Sequence, residues 1–382
     1  MRIRFPLFFI LGFSLSGWSQ NDSLVLRLLF AGDIMGHSPQ IESAWNPDSG
    51  SYIYDSCFAF VRPIIESADL AIGNLELTFA GPPYSGYPRF SSPDALGSAL
   101  KNAGFDILCT ANNHAADRGY EGLVRTLNVL DSLKILYTGT FRSKAERDSV
   151  YPLLIDAKGI RLALLNYSYS TNGMPFPLPG IVNLIDTGLI RKDIEQTKLL
   201  HPDLIFAFMH WGEEYERFPS SVQKKLARYL FHLGVDAIIG SHPHVVQPIE
   251  ILTDSLAGFS QCPVFWSLGN FISNQRVRYR DGGIMALIEV RKDSAVRISS
   301  VEWIPVYVYR KPPGQGQRYF LLPPLPDIGG IETLPFVMEA LDRERMLQFF
   351  SDCREHLMGI PEAVKYPSMD AIRKIECGNL VH

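Results

Sequence analysis

The sequence predicts an α/β protein with mixed sheets and a small C-terminal extension. From Leu24 onward, short β-rich runs alternate with helical patterns, which is typical of helices layered on a sheet. Two further pairs of runs have the pattern of antiparallel hairpins, so the sheets should be mixed. Six predicted strands end directly before polar residues that can bind a metal ion. With 382 residues, the chain is long enough to bury a sizeable core.

The first residues have the pattern of an export signal. Arg2 and Arg4 precede an apolar run at 5–15, and small and polar residues follow at 16–20. The run is shorter than the roughly 20 residues that a membrane-spanning helix needs. We therefore expect residues 1–20 to be a signal peptide and the mature protein to be soluble outside the cytoplasm. An uncleaved membrane anchor is the alternative.

Residues 24–290 are predicted to form the main domain. The β-rich runs predict strands at 25–31, 69–72, 106–110, 135–138, 204–209, 236–239 and 264–267. The helical patterns predict helices at 58–67, 95–103, 120–133, 189–199 and 221–233. The two hairpins are expected at 153–155 with 162–166, and at 283–290 with 296–303.

Residues 291–382 are predicted to complete the second hairpin and to add an extension with one helix. A Pro- and Gly-rich stretch at 311–330 marks a boundary, and a helical pattern covers 337–358. The five cysteines are an odd set without CxxC spacing, which argues against a zinc knuckle and a dense disulfide scaffold. A bridge between Cys353 and Cys377 is chemically reasonable in an oxidising compartment, but the sequence does not decide it.

The charge balance limits the classes of partner. The formal net charge is −4, so the chain has no broad basic field of the kind that attracts nucleic acid or anionic lipid. An anionic substrate would need a locally positive site, such as a bound metal ion.

Acidic residues follow the first two predicted strands. Asp33 leaves the first strand between Gly32 and Gly36, which permit a tight turn. Asp33 is a good ligand for a hard cation, and a turn-forming aspartate is the alternative. Glu76 follows the second strand in the segment GNLE, where it could bridge two cations or be an exposed loop acid.

Histidines follow the strands that come later. Asn113 and His114 offer an amide oxygen and an imidazole, and His114 could protonate a leaving group; ordinary loop polarity is the alternative. His210 follows a strongly apolar strand as either a ligand or a pocket wall. His242 and His244 form the most specific signal, because two histidines separated by one residue can address two neighbouring metal positions. A pair of surface histidines is the alternative.

Two further observations support this interpretation. Four of the nine histidines lie just past predicted strands, which scattered surface histidines would not do. Imidazole, carboxylate and amide oxygen together suit zinc, manganese or iron. Two such ions about 3.5–4 Å apart lower the pKa of bound water and hold both the attacking and the leaving oxygen, so phosphate ester hydrolysis is the obvious use. Asn270, in a strand-end turn, is expected to support the site.

Six ordered motifs across residues 26–275 carry a family resemblance. The strings GDIM, GNLE, ANNH with Asp117 and Gly119, HWGEEY, GSHPHVVQ and SLGNF resemble those of the bacterial capsule-synthesis CapA (poly-γ-glutamate synthesis) family, within the calcineurin-like metallophosphoesterase superfamily. The resemblance implies a layered α-β-β-α sandwich with one or two divalent metal ions. It assigns Asp33, Glu76 and His244 to the first metal position; Asn113, His210 and His242 to the second, with Glu76 bridging; His114 and Asp117 to catalysis; and Asn74, Glu213, Glu214 and Asn270 to substrate binding or support.

The sequence departs from the superfamily at two positions. Met35 stands where the superfamily has a metal-binding histidine, and Glu76 stands where it has an aspartate. His37, in the same loop as Met35, could compensate as a ligand. A site with a single metal ion is the alternative.

The leading functional hypothesis is an exported metal-dependent hydrolase. Its expected substrate is a phosphoester or an amide-linked anionic polymer of the cell envelope, and its expected partners are components of envelope biosynthesis rather than nucleic acid. The alternative is a non-catalytic polymer-binding or export scaffold of the same fold. Aromatic loops at 82–90 and 167–176 could line a polymer groove in either case.

Overall fold

The computed structural model describes residues 24–175, 177–312, 317–324, 334 and 336–362. The predicted signal peptide and Cys377 lie outside these residues. In chain order the strands are β1 (Leu24–Ile34), β2 (Trp45–Asn46), β3 (Ser51–Tyr52), β4 (Leu70–Leu75), β5 (Ile107–Cys109), β6 (Leu136–Thr138), β7 (Thr140–Phe141), β8 (Leu153–Ala157), β9 (Ile160–Ser168), β10 (Ile181–Val182), β11 (Leu204–His210), β12 (Ala237–Ser241), β13 (Ile249–Asp254), β14 (Phe259–Phe265), β15 (Asn270–Ile272), β16 (Gly282–Lys292), β17 (Val296–Arg310) and β18 (Tyr319–Leu322).

The helices lie mostly between the strands, as the alternation of patterns predicts. They are α1 (Ser38–Ala44), α2 (Arg62–Ile65), α3 (Asp94–Asn102), α4 (Gly119–Leu133), α5 (Lys144–Val150), α6 (Thr187–Leu199), α7 (Ser221–His232) and α8 (Ala340–His356), with a short 3-10 helix at Asp55–Phe58. None of the described helices is long and apolar enough to cross a membrane.

Two mixed sheets form the centre of the protein. The first has the order β18-β17-β16-β1-β4-β5-β6, with β15 paired to the end of β1; the second has the order β13-β14-β12-β11-β9-β8. In each sheet the central strands are parallel. Antiparallel strands extend one edge of the first sheet and both edges of the second. Both predicted hairpins are confirmed, as β8 with β9 and β16 with β17.

The alternating side chains of β1 show how the layers form. Leu28 and Phe30 face the second sheet and pack in the core between the sheets, whereas Leu29 lies in the core under the helices on the outer face. Helices α6 and α7 cover the outer face of the second sheet, where Ile194 and Leu230 are buried. Because helices cover the outer faces, the central strands β11 and β12 are buried on both faces. The predicted α-β-β-α layering is thus confirmed.

One predicted helix is wrong and several elements were missed. The structure has only the 3-10 helix and the four-residue α2 where a helix at 58–67 was expected. Pro63 has no backbone N–H, so a helix through it would lose a hydrogen bond and clash with the preceding turn. α2 therefore begins at Arg62. The short helices α1 and α5 and the edge strands β13 and β18 were not predicted.

The C-terminal segment joins the first sheet. β17 and β18 add two antiparallel strands to it, and α8 packs against β17 and buries Phe349 and Phe350. The domain boundary at residue 290 stays a prediction, since β16 runs from Gly282 to Lys292.

Candidate metal site

The carboxyl ends of strands from both sheets meet at one place, and the candidate ligands lie there. In the first sheet Asp33 on β1 pairs with Asn74 on β4, and in the second His210 on β11 pairs with Ser241 on β12. Ligand sites commonly form at such strand ends. The turn of β1 needs Gly32, because a Cβ at this position would lie 2.0 Å from the carbonyl oxygen of Gly269.

Hydrogen bonds connect the two sheets at this point. Asn74 Nδ2 donates to Asp33 Oδ1 at 2.8 Å and lies 3.2 Å from His210 Nδ1, which is also 3.0 Å from Ser241 Oγ. His244 Nδ1 lies 3.1 Å from Asp33 Oδ2. Asp33 thus faces the histidine loop of the other sheet, and Asn74 fixes the direction of its carboxylate.

Glu76 lies between two histidines and has no hydrogen-bond donor. It is fully buried, and both of its carboxylate oxygens lack a partner among the described residues. The Nε2 atoms of His210 and His244 are each 3.7 Å from Oε1. Burial, and then the negative charge of Asp33, raises the pKa of Glu76 well above its usual value. Burying the ionised form of such a carboxylate costs free energy unless a cation accompanies it.

Two overlapping groups of side chains have the arrangement of a metal site. One group is Glu76, His242 and His244, and the other is Asp33, Glu76 and His210; within each group the candidate ligand atoms all lie within 4.8 Å of one another. Glu76 belongs to both. Carboxylate and imidazole ligands suit zinc, manganese or iron, and the unpartnered oxygens of Glu76 fit a divalent cation.

Asn113 adds an amide oxygen to the second group. Its Oδ1 lies 3.0 Å from His210 Nε2, and its Nδ2 has no partner among the described residues. Burial, followed by the neighbouring histidines, lowers the pKa of His210 well below its usual value and that of His242 to about 3. Both rings are therefore neutral near pH 7, which is the form that binds metal.

The loop that carries the two adjacent histidines has an unusual backbone. His242 has φ 99° and His244 has φ 57°, and such values are rare for residues other than glycine. Contacts on both sides hold the loop: the backbone N–H of His242 faces the Asp33 carboxylate at 3.3 Å, and Pro243 O accepts a hydrogen bond from Tyr215 N at 2.8 Å. Strain of this kind persists where surrounding contacts determine the backbone, and it concentrates at functional sites.

His114 and Asp117 form a buried dyad at the edge of the ligand cluster. His114 Nδ1 lies 2.8 Å from Asp117 Oδ2, which also accepts a hydrogen bond from Phe90 N at 2.7 Å. The Phe90 ring packs edge-on against the His114 ring. Because the carboxylate accepts from Nδ1–H, the second ring nitrogen, Nε2, carries the lone pair or proton available for chemistry.

His37 lies apart from the two ligand groups. Its Nδ1 accepts a hydrogen bond from Asn274 N at 3.2 Å, and burial lowers its pKa to about 4. It is in neither candidate ligand group of the residues that the structure describes. Met35 is buried in the core beneath. A compensating role of His37 as a ligand stays a prediction.

The predicted supporting residues fall into two kinds. Asn270 is buried and lies 3.2 Å from His244 Nδ1 through its Oδ1, while its Nδ2 donates to Arg280 O at 2.8 Å. Glu213 and Glu214 are exposed in the loop after β11. Glu214 nevertheless contributes to the raised pKa of Glu76, so it lies close enough to influence the site.

Sequence reasoning missed Asn166, which joins the two sheets behind the site. Its Oδ1 accepts a hydrogen bond from Ala111 N at 2.8 Å, and its Nδ2 donates to Phe208 O at 3.1 Å. Gly139 permits this approach, since a Cβ there would lie 2.0 Å from Asn166 Oδ1. Asn166 therefore fixes the loop of Asn113 relative to β11. In the sequence, the only sign of this role is that Asn166 is a polar residue within an otherwise apolar strand.

Two tyrosines at the mouth of the site were also missed as individual residues. The Tyr169 ring lies 4.4 Å from the His242 ring, and the Tyr215 ring lies 6.1 Å from the His244 ring, as centroid distances. Tyr169 is 41% exposed and Tyr215 is 37% exposed, so both line the opening. Tyr169 belongs to the aromatic loop at 167–176 that the sequence singled out.

Comparison with known proteins identifies sequence relatives. The family described as bacterial capsule synthesis protein PGA_cap matches residues 27–275. The PGA biosynthesis protein CapA of Bacillus subtilis (strain 168) is 29% identical over 306 residues, covering 74% of this chain and 75% of the relative. The capsule biosynthesis protein CapA of Bacillus anthracis is 28% identical over 270 residues, covering 67% of this chain and 61% of the relative.

Solved structures show a looser likeness. The NAD nucleotidase NadN of Haemophilus influenzae has a TM-score of 0.46 and 14% identity, covering 87% of this chain and 68% of that chain. The calcineurin-like phosphoesterase YfkN of Bacillus subtilis has a TM-score of 0.44 and 14% identity, covering 87% of this chain and 98% of that chain. Likeness at this level carries no information about activity.

Proposed function

Because the chain belongs to the family of bacterial capsule synthesis protein PGA_cap, we propose that it is a divalent-metal-dependent hydrolase that acts outside the cytoplasm on an anionic envelope polymer or a phosphoester. The two CapA relatives are named for PGA or capsule biosynthesis, and this supports an anionic polymer as the proposed substrate. The bond that it hydrolyses is a phosphoester or a γ-glutamyl amide bond.

The buried state of Glu76 is the observation that supports metal dependence most strongly. The Glu76 carboxylate has no donor among the described residues, and two imidazole nitrogens lie 3.7 Å away. Burying its charge would therefore destabilise a metal-free core. A purely structural core would gain stability from a neutral residue at this position. The arrangement is therefore best explained by a bound cation.

Each side chain has a proposed role. Asp33, Glu76, Asn113, His210, His242 and His244 would hold one or two divalent ions. A bound ion would supply an activated water and stabilise negative charge on the reacting group. Asn74 holds the Asp33 carboxylate in place, and Asp117 holds Nδ1 of His114. Nε2 of His114 is then free to deliver a proton to the leaving group.

The metal dependence can be tested on the mature chain from about Asn21. Bound zinc, manganese and iron would be measured by elemental analysis, and hydrolysis would be assayed on a small phosphodiester and on poly-γ-glutamate. The His242→Ala/His244→Ala double variant should lose both the metal and the hydrolysis. The exposed His201 serves as the control, as His201→Asn. No metal in the parent protein, even after the three ions are supplied, would favour the scaffold alternative.

Export is part of the same proposal and has its own test. Arg2, Arg4 and the apolar run at 5–15 support it. A reporter fused after residue 40 should appear outside the cytoplasm, and a reporter retained inside would refute this part. A variant with the apolar run interrupted by charged residues is the matched control.

A further inference from the structure

Two loops beside the candidate metal site carry arginines stacked on tyrosines. We use the name arginine wall for Arg217, Arg280, Tyr215 and Tyr279. The guanidinium carbon of Arg280 lies 3.3 Å from the centroid of the Tyr215 ring, and that of Arg217 lies 3.9 Å from the Tyr279 centroid. Tyr215 in turn faces the ring of His244. One aromatic ring therefore separates Arg280 from a candidate metal ligand.

Arg280, which stacks on Tyr215 beside the candidate metal site, keeps its charge available. Within the described part of the chain, neither Arg217 nor Arg280 forms a salt bridge, whereas Arg278 makes two contacts of 2.9 and 2.7 Å with Asp352. Stacking on an aromatic ring orders a guanidinium group without neutralising it and leaves its N–H edge free. Such an edge matches a carboxylate or phosphate.

Helix α8 holds the wall in position. Nε2 of His356 donates to Arg217 O at 2.9 Å, and the Phe218 ring packs edge-on against the His356 ring. The salt bridge of Asp352 fixes the second loop at Arg278. Both loops are thus braced by one helix, so the arginines are ordered before a ligand arrives and lose less entropy on binding.

We propose that Arg280 forms a second anionic subsite, which binds a carboxylate or phosphate group of the substrate other than the group that reacts. This inference rests on the proposed function and deepens it. The Tyr215 ring contacts both Arg280 and His244, so the subsite adjoins the metal site and takes a different group of the same substrate. The preferred substrate is then a chain that carries repeated negative charges, rather than a small monoester.

The neighbouring acidic residue Glu214 has the opposite charge to Arg280, so the effect of charge on binding can be tested in both directions. Glu214 is exposed and directly precedes Tyr215 in the same loop, so it lies beside the wall. An anionic chain would be repelled by Glu214 and attracted by Arg280. Removing the two charges should therefore change the binding of such a chain in opposite directions.

The test measures binding of two anionic chains, a γ-linked glutamate oligomer and linear polyphosphate, to the metal-loaded mature protein by calorimetry at several salt concentrations. Arg280→Gln should weaken binding roughly tenfold, the change that one charge-assisted contact produces, and should reduce the salt dependence. Arg280→Lys should restore part of the affinity, and Glu214→Gln should increase it. Thermal unfolding of each variant verifies that it is folded.

Arg191 provides the matched control. It stacks on Tyr229 with 5.6 Å between the guanidinium carbon and the ring centroid, far from the wall on the outer helices α6 and α7. Arg191→Gln removes the same charge and the same kind of contact, and binding should be unchanged. If Arg280→Gln binds like Arg191→Gln, or if neither anionic chain binds the parent protein, the subsite does not exist.

The outcomes separate the subsite from the proposed function. Arg280-dependent binding without metal or hydrolysis would support the subsite and overturn the hydrolase. Metal-dependent hydrolysis whose substrate binding ignores Arg280 would overturn the subsite alone. Arg280-dependent binding of one chain and not the other would support the subsite and show whether its anion is a carboxylate or a phosphate.

Discussion

The floor of the candidate site and its wall are built in different ways. The floor consists of strand ends from both sheets, and its ligands Asp33, Glu76 and His210 are fully buried within residues 27–275 that match the family. The wall consists of two loops, with Tyr215 37% exposed, and its brace α8 lies beyond the matched region. Packing fixes the floor on every side, whereas a few side-chain contacts hold the wall. Substitutions in the floor should change metal binding, and those in the wall should change substrate binding.

The largest effect is expected at the centre of the floor. Glu76→Gln should weaken metal binding by more than the roughly 10- to 100-fold loss that follows removal of a residue that only orients a ligand. In the metal-free protein, the same substitution should increase the stability of the folded state. A carboxylate with a raised pKa destabilises the folded state increasingly as pH rises above its unfolded value of 4.5. Metal-free Glu76→Gln should therefore be more stable than the metal-free parent at pH 7.

Thermal unfolding with and without metal, between pH 4 and pH 8, provides the measurement. The exposed Glu42 gives the matched control, as Glu42→Gln, which should follow the parent at every pH. Equal stability of the metal-free parent and metal-free Glu76→Gln at pH 7 would mean that the buried Glu76 charge does not destabilise the folded state.

The dyad at the edge of the floor should separate catalysis from metal binding. His114→Ala should lower kcat by roughly 10²- to 10⁴-fold, the usual contribution of a general acid, while the metal content stays at the parental level. Asp117→Asn should have a smaller effect, because the ring stays in place. Steady-state kinetics together with elemental analysis tests this. Loss of the metal in His114→Ala would assign His114 to the ligand set instead.

Replacing Asn166 should lower stability and metal affinity, although Asn166 contacts no candidate metal ligand. Asn166→Ala removes the hydrogen bonds to Ala111 N and Phe208 O, leaves both groups buried, and should cost about 1–3 kcal/mol of unfolding free energy. Metal affinity should also fall, because the loop of Asn113 is no longer held. Denaturant unfolding and metal titration are the measurements. The exposed Asn128, changed to Ala, should alter neither quantity.

The smallest effect is expected in the brace of the wall. His356→Ala should weaken binding of an anionic chain a few-fold and lower stability by about 1 kcal/mol, the net value of one hydrogen bond. Burial, and then Arg217, lowers the pKa of His356, so the folded state loses stability as pH falls below 6.5. The stability gap between parent and variant should therefore be widest above pH 6.5 and narrow in acid.

His232 allows a matched comparison, because its Nδ1 also donates to a backbone carbonyl, that of Ala257, at 2.8 Å. His232→Ala should also lose the stability that one hydrogen bond contributes, without changing the binding of an anionic chain. Equal effects of the two variants on binding would break the proposed connection between α8 and the wall.

Local pattern was sufficient for most of the fold. The seven predicted strands and four of the five predicted helices of residues 24–290 are present within a few residues of the expected bounds, because periodicity and capping act over short stretches. The helix predicted at 58–67 is wrong because Pro63 interrupts the apolar pattern and is accommodated only in the first turn of the short α2. The edge strands β13 and β18 were missed although each pairs with its neighbour in sequence, β14 and β17, because short runs of this kind carry only a weak strand signal.

The sequence by itself determined which residue types follow the strands, and so which side chains were candidates for the site. Only the tertiary structure decided their relations. Asp33 faces His244 across the two sheets, and Glu76 has no donor among the residues that the structure describes. Arg280 stacks on Tyr215, whereas Arg278 is neutralised by Asp352. Strand ends are local features that a sequence displays. The distance between two strand ends, and the partner of each charge, depend on how the sheets pack against each other.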